Sequence, residues 1–156
     1  AERLDRSCAV RVGEAFDGAR LATGQVWIAP GGHQLRVVRD GARYVCRIGE
    51  ADRVNGFAPS VDVMFNAAVE AAGSNLAAAL LTGMGDDGAQ GLLRLRQSGV
   101  FTCVQDEATS VVWGMPGAAF RLGAAEAVLP IGQVAERLMD AARRHRGRLS
   151  QTDRSR

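Results

Sequence analysis

Residues Leu80 to Ala89 read Leu-Leu-Thr-Gly-Met-Gly-Asp-Asp-Gly-Ala, two adjacent carboxylates set among three glycines. The apolar run before them, Leu76 to Leu81, has the pattern of a strand covered on both faces, and Gly88 to Gln97 follows as a helix. Open α/β sheets bind ligands and do chemistry at the carboxyl ends of their strands. A helix N-terminus favours a carboxylate, and glycines let backbone N–H groups approach a substrate oxygen. One turn can therefore hold an orienting aspartate, Asp86 or Asp87, beside an oxyanion-binding loop. The plainer alternative is that one of the two only caps the helix.

Other arrangements compete for the same residues. Gly83-x-Gly85-x-x-Gly88, with Asp106 and Glu107 after the next strand, mimics a dinucleotide-binding fingerprint. Two acids between the glycines would face a negatively charged pyrophosphate, which works against that reading. A rearranged triad of His33, Ser60 and Asp87 is formally available, but Ser60 opens a helix and has a sufficient task as its cap. His145 lies in a basic tail. Ser110, within Ser-Val-Val-Trp-Gly-Met-Pro, reads as shaping a cleft near Trp113 and Met115. No metal site is expected, because Asp86 and Asp87 adjoin without a histidine cluster. Cys8, Cys46 and Cys103 lack metal or redox spacing and read as reduced, mostly buried thiols.

The elements that must position these residues follow from pattern. Cys8 to Val12 and Gln25 to Ala29 read as strands; Gln34 to Val38 and Arg43 to Ile48 alternate around Asp40-Gly41 as a hairpin. Gly49 to Ala58 lacks periodicity and reads as a loop. Pro59-Ser60 starts a helix over Val61 to Ala72 that stops at Gly73. Val100 to Gln105 is a strand, Met115-Pro116 opens a short helix ending near Gly123, and Ala127 to Leu129 is a last strand. A C-terminal helix runs to about Arg144, with Val134, Leu138 and Ala141 on the face toward the sheet. The first six residues look like the end of a helix. The fold class is α/β, with right-handed crossovers.

Composition sets outer limits. At 156 residues and 47% apolar content the chain suits one domain with a single core. No run of 18 apolar residues exists, so no membrane insertion is expected. All 19 basic residues are arginine. Six of them lie between Arg143 and Arg156, a tail expected to be disordered; without interleaved aromatics it gives no reason to expect nucleic acid as a partner.

Four segments together resemble the catalytic domain of the chemotaxis protein-glutamate methylesterases: Ile28-Ala29-Pro30-Gly31-Gly32, Pro59-Ser60-Val61-Asp62-Val63, the run from Leu80 to Ala89, and Gln105 to Pro116. They occur in the family's order and cover the chain to about Leu138. The resemblance implies a mostly parallel, doubly wound sheet with helices on both faces and an inserted antiparallel hairpin. It implies a domain over 1–142, followed by the arginine-rich tail 143–156. It further implies a cytoplasmic serine hydrolase without cofactor, which removes methyl esters from glutamates on chemoreceptor helices and deamidates receptor glutamines. By the same resemblance Asp87 is the triad aspartate, and the backbone N–H of Met84 helps to bind the oxyanion.

The resemblance also carries departures. The family's serine and histidine, and its regulatory receiver domain, would fall upstream of Ala1. Two readings follow: a truncated piece of a working esterase, with poor solubility from an exposed sheet edge, or a catalytically inactive scaffold or partner-binding module.

Overall fold

A computed structural model describes residues 1–152, with side chains described as far as Arg144. Contacts divide the chain into two compact units, Ala1–Ala71 and Ala72–Arg156.

The first unit opens with helix α1 (Glu2–Asp5) and strand β1 (Arg11–Glu14), which begins three residues later than its apolar pattern suggests. The Asp5 carboxylate accepts the N–H of Val12 (2.7 Å), tying helix to strand. Strand β2 (Gln25–Ile28) pairs with β1 in parallel. Strands β3 (Leu35–Asp40) and β4 (Arg43–Ile48) form the expected hairpin, with one correction. Asp40 pairs with Arg43, so Gly41-Ala42 is the turn, and Gly41 alone of the two has a positive φ, +57°. That is the conformation in which only the first central residue needs glycine. A segment not read as paired, Gly18 to Leu21, lies along β4, where Cys46 donates its N–H to the Ala19 carbonyl (2.8 Å). Ala15, Ala19, Leu35 and Cys46 form the core of this unit, with Trp27, Ala29, Ile48 and Met64 packed on it.

The stretch Gly49 to Ala58 is more ordered than its lack of periodicity implies. Val54 and Phe57 exchange both backbone hydrogen bonds (3.0 and 2.9 Å), with φ of +53° at Asn55 and +86° at Gly56. Asn-Gly is the dipeptide that tolerates two successive positive φ angles, and it was the available signal. Gln34, only 1% exposed, fastens this loop. Its amide donates to the carbonyls of Asp52 (2.7 Å) and Phe57 (2.9 Å) and accepts the N–H of Ser60 (2.9 Å). Helix α2 is Val61–Ala72, as read, followed by Gly73 at φ +56°. Ser60 caps it by accepting the Val63 N–H.

The second unit is a parallel sheet in the order β5 (Ala77–Leu80), β6 (Phe101–Gln105), β7 (Ala127–Leu129). Strand β5 is shorter than the apolar run, because Leu81 already stands exposed in the loop beyond it. Helices α3 (Ala89–Gln97) and α4 (Met115–Arg121) pack on each other and on β5 and β6. Helix α5 (Ile131–Thr152) packs along all three strands. Ala79, Cys103 and Ala127 lie in register, and Cys103, Leu129 and Val134 form a cluster joined by Phe101 and Leu138. Alternate positions of β6, Thr102 and Val104, are fully buried as well, which explains a strand with no polar face.

Arg137 of α5 lies 5.7 Å from the centre of the Phe101 ring. The helix continues past its expected end near Arg144; the side chains of the rest of the tail, His145 included, and residues 153–156 altogether, lie outside the described residues. Cys46 and Cys103 are buried, as expected of most of the thiols, and Cys8 is exposed. No described helix is long and apolar enough to cross a membrane.

Candidate functional site

Two loops leave neighbouring strands at the carboxyl edge of the second unit: residues 81–88 after β5 and residues 106–114 after β6. They are hydrogen-bonded to each other at Thr82 and Gly83. Thr82 donates its hydroxyl to the Val112 carbonyl (3.1 Å) and accepts the Val112 N–H (2.9 Å). Gly83 donates its N–H to the same carbonyl (3.0 Å), and Met115 donates its N–H to the Gly83 carbonyl (2.8 Å). Gly83 and Trp113 thereby form an isolated parallel bridge, an extension of the strand pairing into the loops.

Small residues make this approach possible. A Cβ on Gly114 would lie 2.6 Å from the Gly83 carbonyl and 3.0 Å from the Gly85 nitrogen, and one on Gly83 would collide with the Met115 side chain. Past the junction the 81–88 loop turns sharply, with φ of +92° at Gly85 and +89° at Gly88, conformations that favour glycine. Gly88 caps α3, and its carbonyl accepts the Leu92 N–H (2.9 Å).

The two aspartates part company in this turn. Asp87 is 4% exposed, at the start of α3, while Asp86 faces solvent. Burying a carboxylate requires partners, and Asp87 has interactions within the protein. The Asp86 carbonyl accepts the Ala89 N–H (3.1 Å), so its contribution to starting the helix comes through the main chain. Met84 projects outward, 82% exposed, between Gly83 and Gly85.

The 106–114 loop is built around Asp106, which accepts hydrogen bonds from the N–H (3.0 Å) and hydroxyl of Thr109. Ser110 donates its hydroxyl to the Asp106 carbonyl (2.7 Å), a structural task in keeping with its reading as a shaping residue. Trp113 donates its indole N–H to the Gln105 carbonyl (3.0 Å) and packs against Phe120, ring centres 5.8 Å apart. Gly117 provides the room, since a Cβ there would lie 3.0 Å from the indole. Val111 of this loop stands 90% exposed.

The sequence reading did not single out Gln105. It is the last residue of β6, buried, and its side-chain amide joins both loops. His33 and Ser60 belong to the first unit. His33 is exposed, its Nδ1 3.4 Å from the Gly31 carbonyl, and the Ser60 hydroxyl serves as the α2 cap. Among the described residues no group of three or more His, Cys, Asp or Glu side chains could hold a metal ion.

Comparison with known proteins accounts for this geometry. The family model for the CheB methylesterase matches residues 1–138. A protein-glutamate methylesterase/protein-glutamine glutaminase 1 of Hahella chejuensis is 60% identical over 135 residues, 86% of this chain and 37% of the relative. One from Pseudomonas aeruginosa is 54% identical over 148 residues, 94% of this chain and 42% of the relative. The chain thus spans about two-fifths of the length of these relatives. The crystal structure of the Thermotoga maritima CheB methylesterase catalytic domain superposes with a TM-score of 0.86 at 34% identity, over 90% of this chain and 74% of that one. A stitched pair of loops at the carboxyl edge of a parallel sheet, the match along residues 1–138 and the agreement in fold have one common reading: the chain belongs to the CheB methylesterase family.

Proposed function

We propose that this chain supplies the aspartate and part of the oxyanion site of a protein-glutamate methylesterase and glutaminase that acts on chemoreceptor helices in bacterial chemotaxis. The observation that carries the reading is the burial of Asp87, just before the N-cap of α3, in the same turn as the exposed, glycine-flanked Met84. A serine hydrolase needs a carboxylate that holds the base histidine in its useful tautomer and stabilises the imidazolium formed when serine is deprotonated. Burial suits that task, because a low-dielectric setting strengthens the interaction with the imidazolium. The Met84 N–H, on a loop braced by its neighbour, would meet the charge that develops on the ester or amide oxygen. The acyl group is the glutamyl side chain; methanol leaves from the ester and ammonia from the amide, and water completes the hydrolysis.

The serine and histidine of the proposed triad are not assigned among these residues, so the test supplies them. The chain is fused behind the catalytic-domain segment that precedes the matched stretch in the Hahella chejuensis relative. The fusion should hydrolyse receptor glutamate methyl esters and label with a fluorophosphonate, and Asp87→Asn should lower kcat by about a hundredfold or more. A folded fusion whose Asp87→Asn variant keeps its full rate would refute the assignment. A folded fusion that binds receptor without any hydrolysis would favour a binding module instead.

A further inference from the structure

Gln105 holds one place in the fold from which both loops of the site can be set. It is 2% exposed, at the end of β6, between the strand that carries it and the loops on either side. Its Oε1 accepts the N–H of Thr82 (2.9 Å), and its Nε2 donates to the carbonyl (2.7 Å) and hydroxyl (3.3 Å) of Thr109. Its own carbonyl accepts the indole N–H of Trp113 (3.0 Å). The Thr109 hydroxyl passes the network on, donating to Asp106 and accepting the N–H of Ile131 (3.1 Å) at the start of α5.

We infer that Gln105 is a positioning residue for hydrolysis: by fixing Thr82 and Thr109 at once, it sets the path of the Gly83 to Asp87 turn. The inference rests on the functional reading above. The chemistry requires an amide, because one end must accept and the other must donate. A carboxylate at this position would still accept from Thr82 but would face the Thr109 carbonyl with a like partial charge. An aliphatic side chain of equal size would leave the Thr82 N–H and the Thr109 carbonyl without that partner. Thr82 lies two residues before Met84, so a loosened Thr82 displaces the N–H proposed for the oxyanion without touching substrate.

A protonated glutamate provides a test that simple loss of stability cannot imitate. Neutral Glu has one accepting oxygen and one donating O–H, the same pair of functions as Gln. Burial, and the Asp106 carboxylate that shares Thr109, would both raise the pKa of a glutamate placed there. In the fusion described above, Gln105→Met should lower kcat about tenfold or more with KM changed by less than about threefold. Gln105→Glu, measured as a ratio to the parent at each pH, should recover toward the parent as pH falls and lose rate as pH rises. Amide exchange should quicken at Thr82 and Gly83 in Gln105→Met while Leu92 and Cys103 stay protected. A kcat for Gln105→Met equal to the parent's, or a Gln105→Glu ratio flat with pH, overturns the inference. Because Asp87→Asn is measured in the same fusion, loss of rate there with none at Gln105 leaves the functional reading standing and removes only this one.

Discussion

The hydroxyl of Thr82 accepts the N–H of Val112 and donates to the carbonyl of the same residue, at 2.9 and 3.1 Å. One side chain thus performs both halves of a strand pairing across a separation of 30 residues in sequence. Thr82→Val keeps the shape and removes both bonds. Thr82 is exposed, so water can replace part of what is lost, and the expected cost is about 1 kcal/mol rather than the sum of two buried bonds. Thr82→Ser should lose much less. Denaturant melts of the two variants beside the parent check this; a Val variant as stable as the parent would show that the loops are held by their backbones alone.

Gln34 in the first unit does what Gln105 does in the second. Each is a buried amide, one next to the start of β3 and one at the end of β6, that both donates and accepts between loop backbones. Gln34→Leu would leave two part-buried carbonyls and the buried Ser60 N–H without this partner. The expected loss is ~3 kcal/mol, with faster amide exchange at Ser60. A shift below about 1 kcal/mol would mean that the loop finds other partners.

These two glutamines also mark the limit of what sequence could say. Helix α2 was legible to the residue because its start and stop are local signals, the Ser60 cap and Gly73. Strands β5 and β6 were legible because burial on both faces leaves an apolar run. Asp86 and Asp87 stood out by lying between such a strand and a helix. Which of them is buried could not be told, since it depends on the positive φ angles of Gly85 and Gly88. A single buried glutamine leaves no periodic trace, and the Thr82 to Val112 junction is mostly backbone, which no side-chain pattern reports. Asp40-Gly41 suits a turn in which both residues have positive φ, whereas the register makes Gly41 the first central residue of the turn. The Asn55-Gly56 turn has a local signal in its dipeptide, but no alternating runs flank it to mark a hairpin.

Burial pushes the Cys103 thiol from its ordinary 9.0 up to about 11, against the opposing pull of the Arg137 charge. Burial moves Cys46 in the same direction. Below pH 9 the thiol of Cys103 is protonated whether the chain is folded or not, and its contribution to stability is fully present. Between pH 9 and pH 11 the unfolded chain releases that proton while the folded protein keeps it, so stability falls as pH rises, by about 3 kcal/mol at most for this group. Cys103→Ala removes this slope and leaves the smaller one of the same sign from Cys46, so the comparison isolates Cys103 in the cluster with Leu129 and Val134. The checks are denaturant melts of both proteins across this range and a thiol titration at pH 8. The reagent should find Cys8 alone in the folded protein and all three cysteines after unfolding. Equal pH slopes in parent and variant, or fast labelling of Cys103 in the folded state, would show that water reaches the α5 side of the sheet.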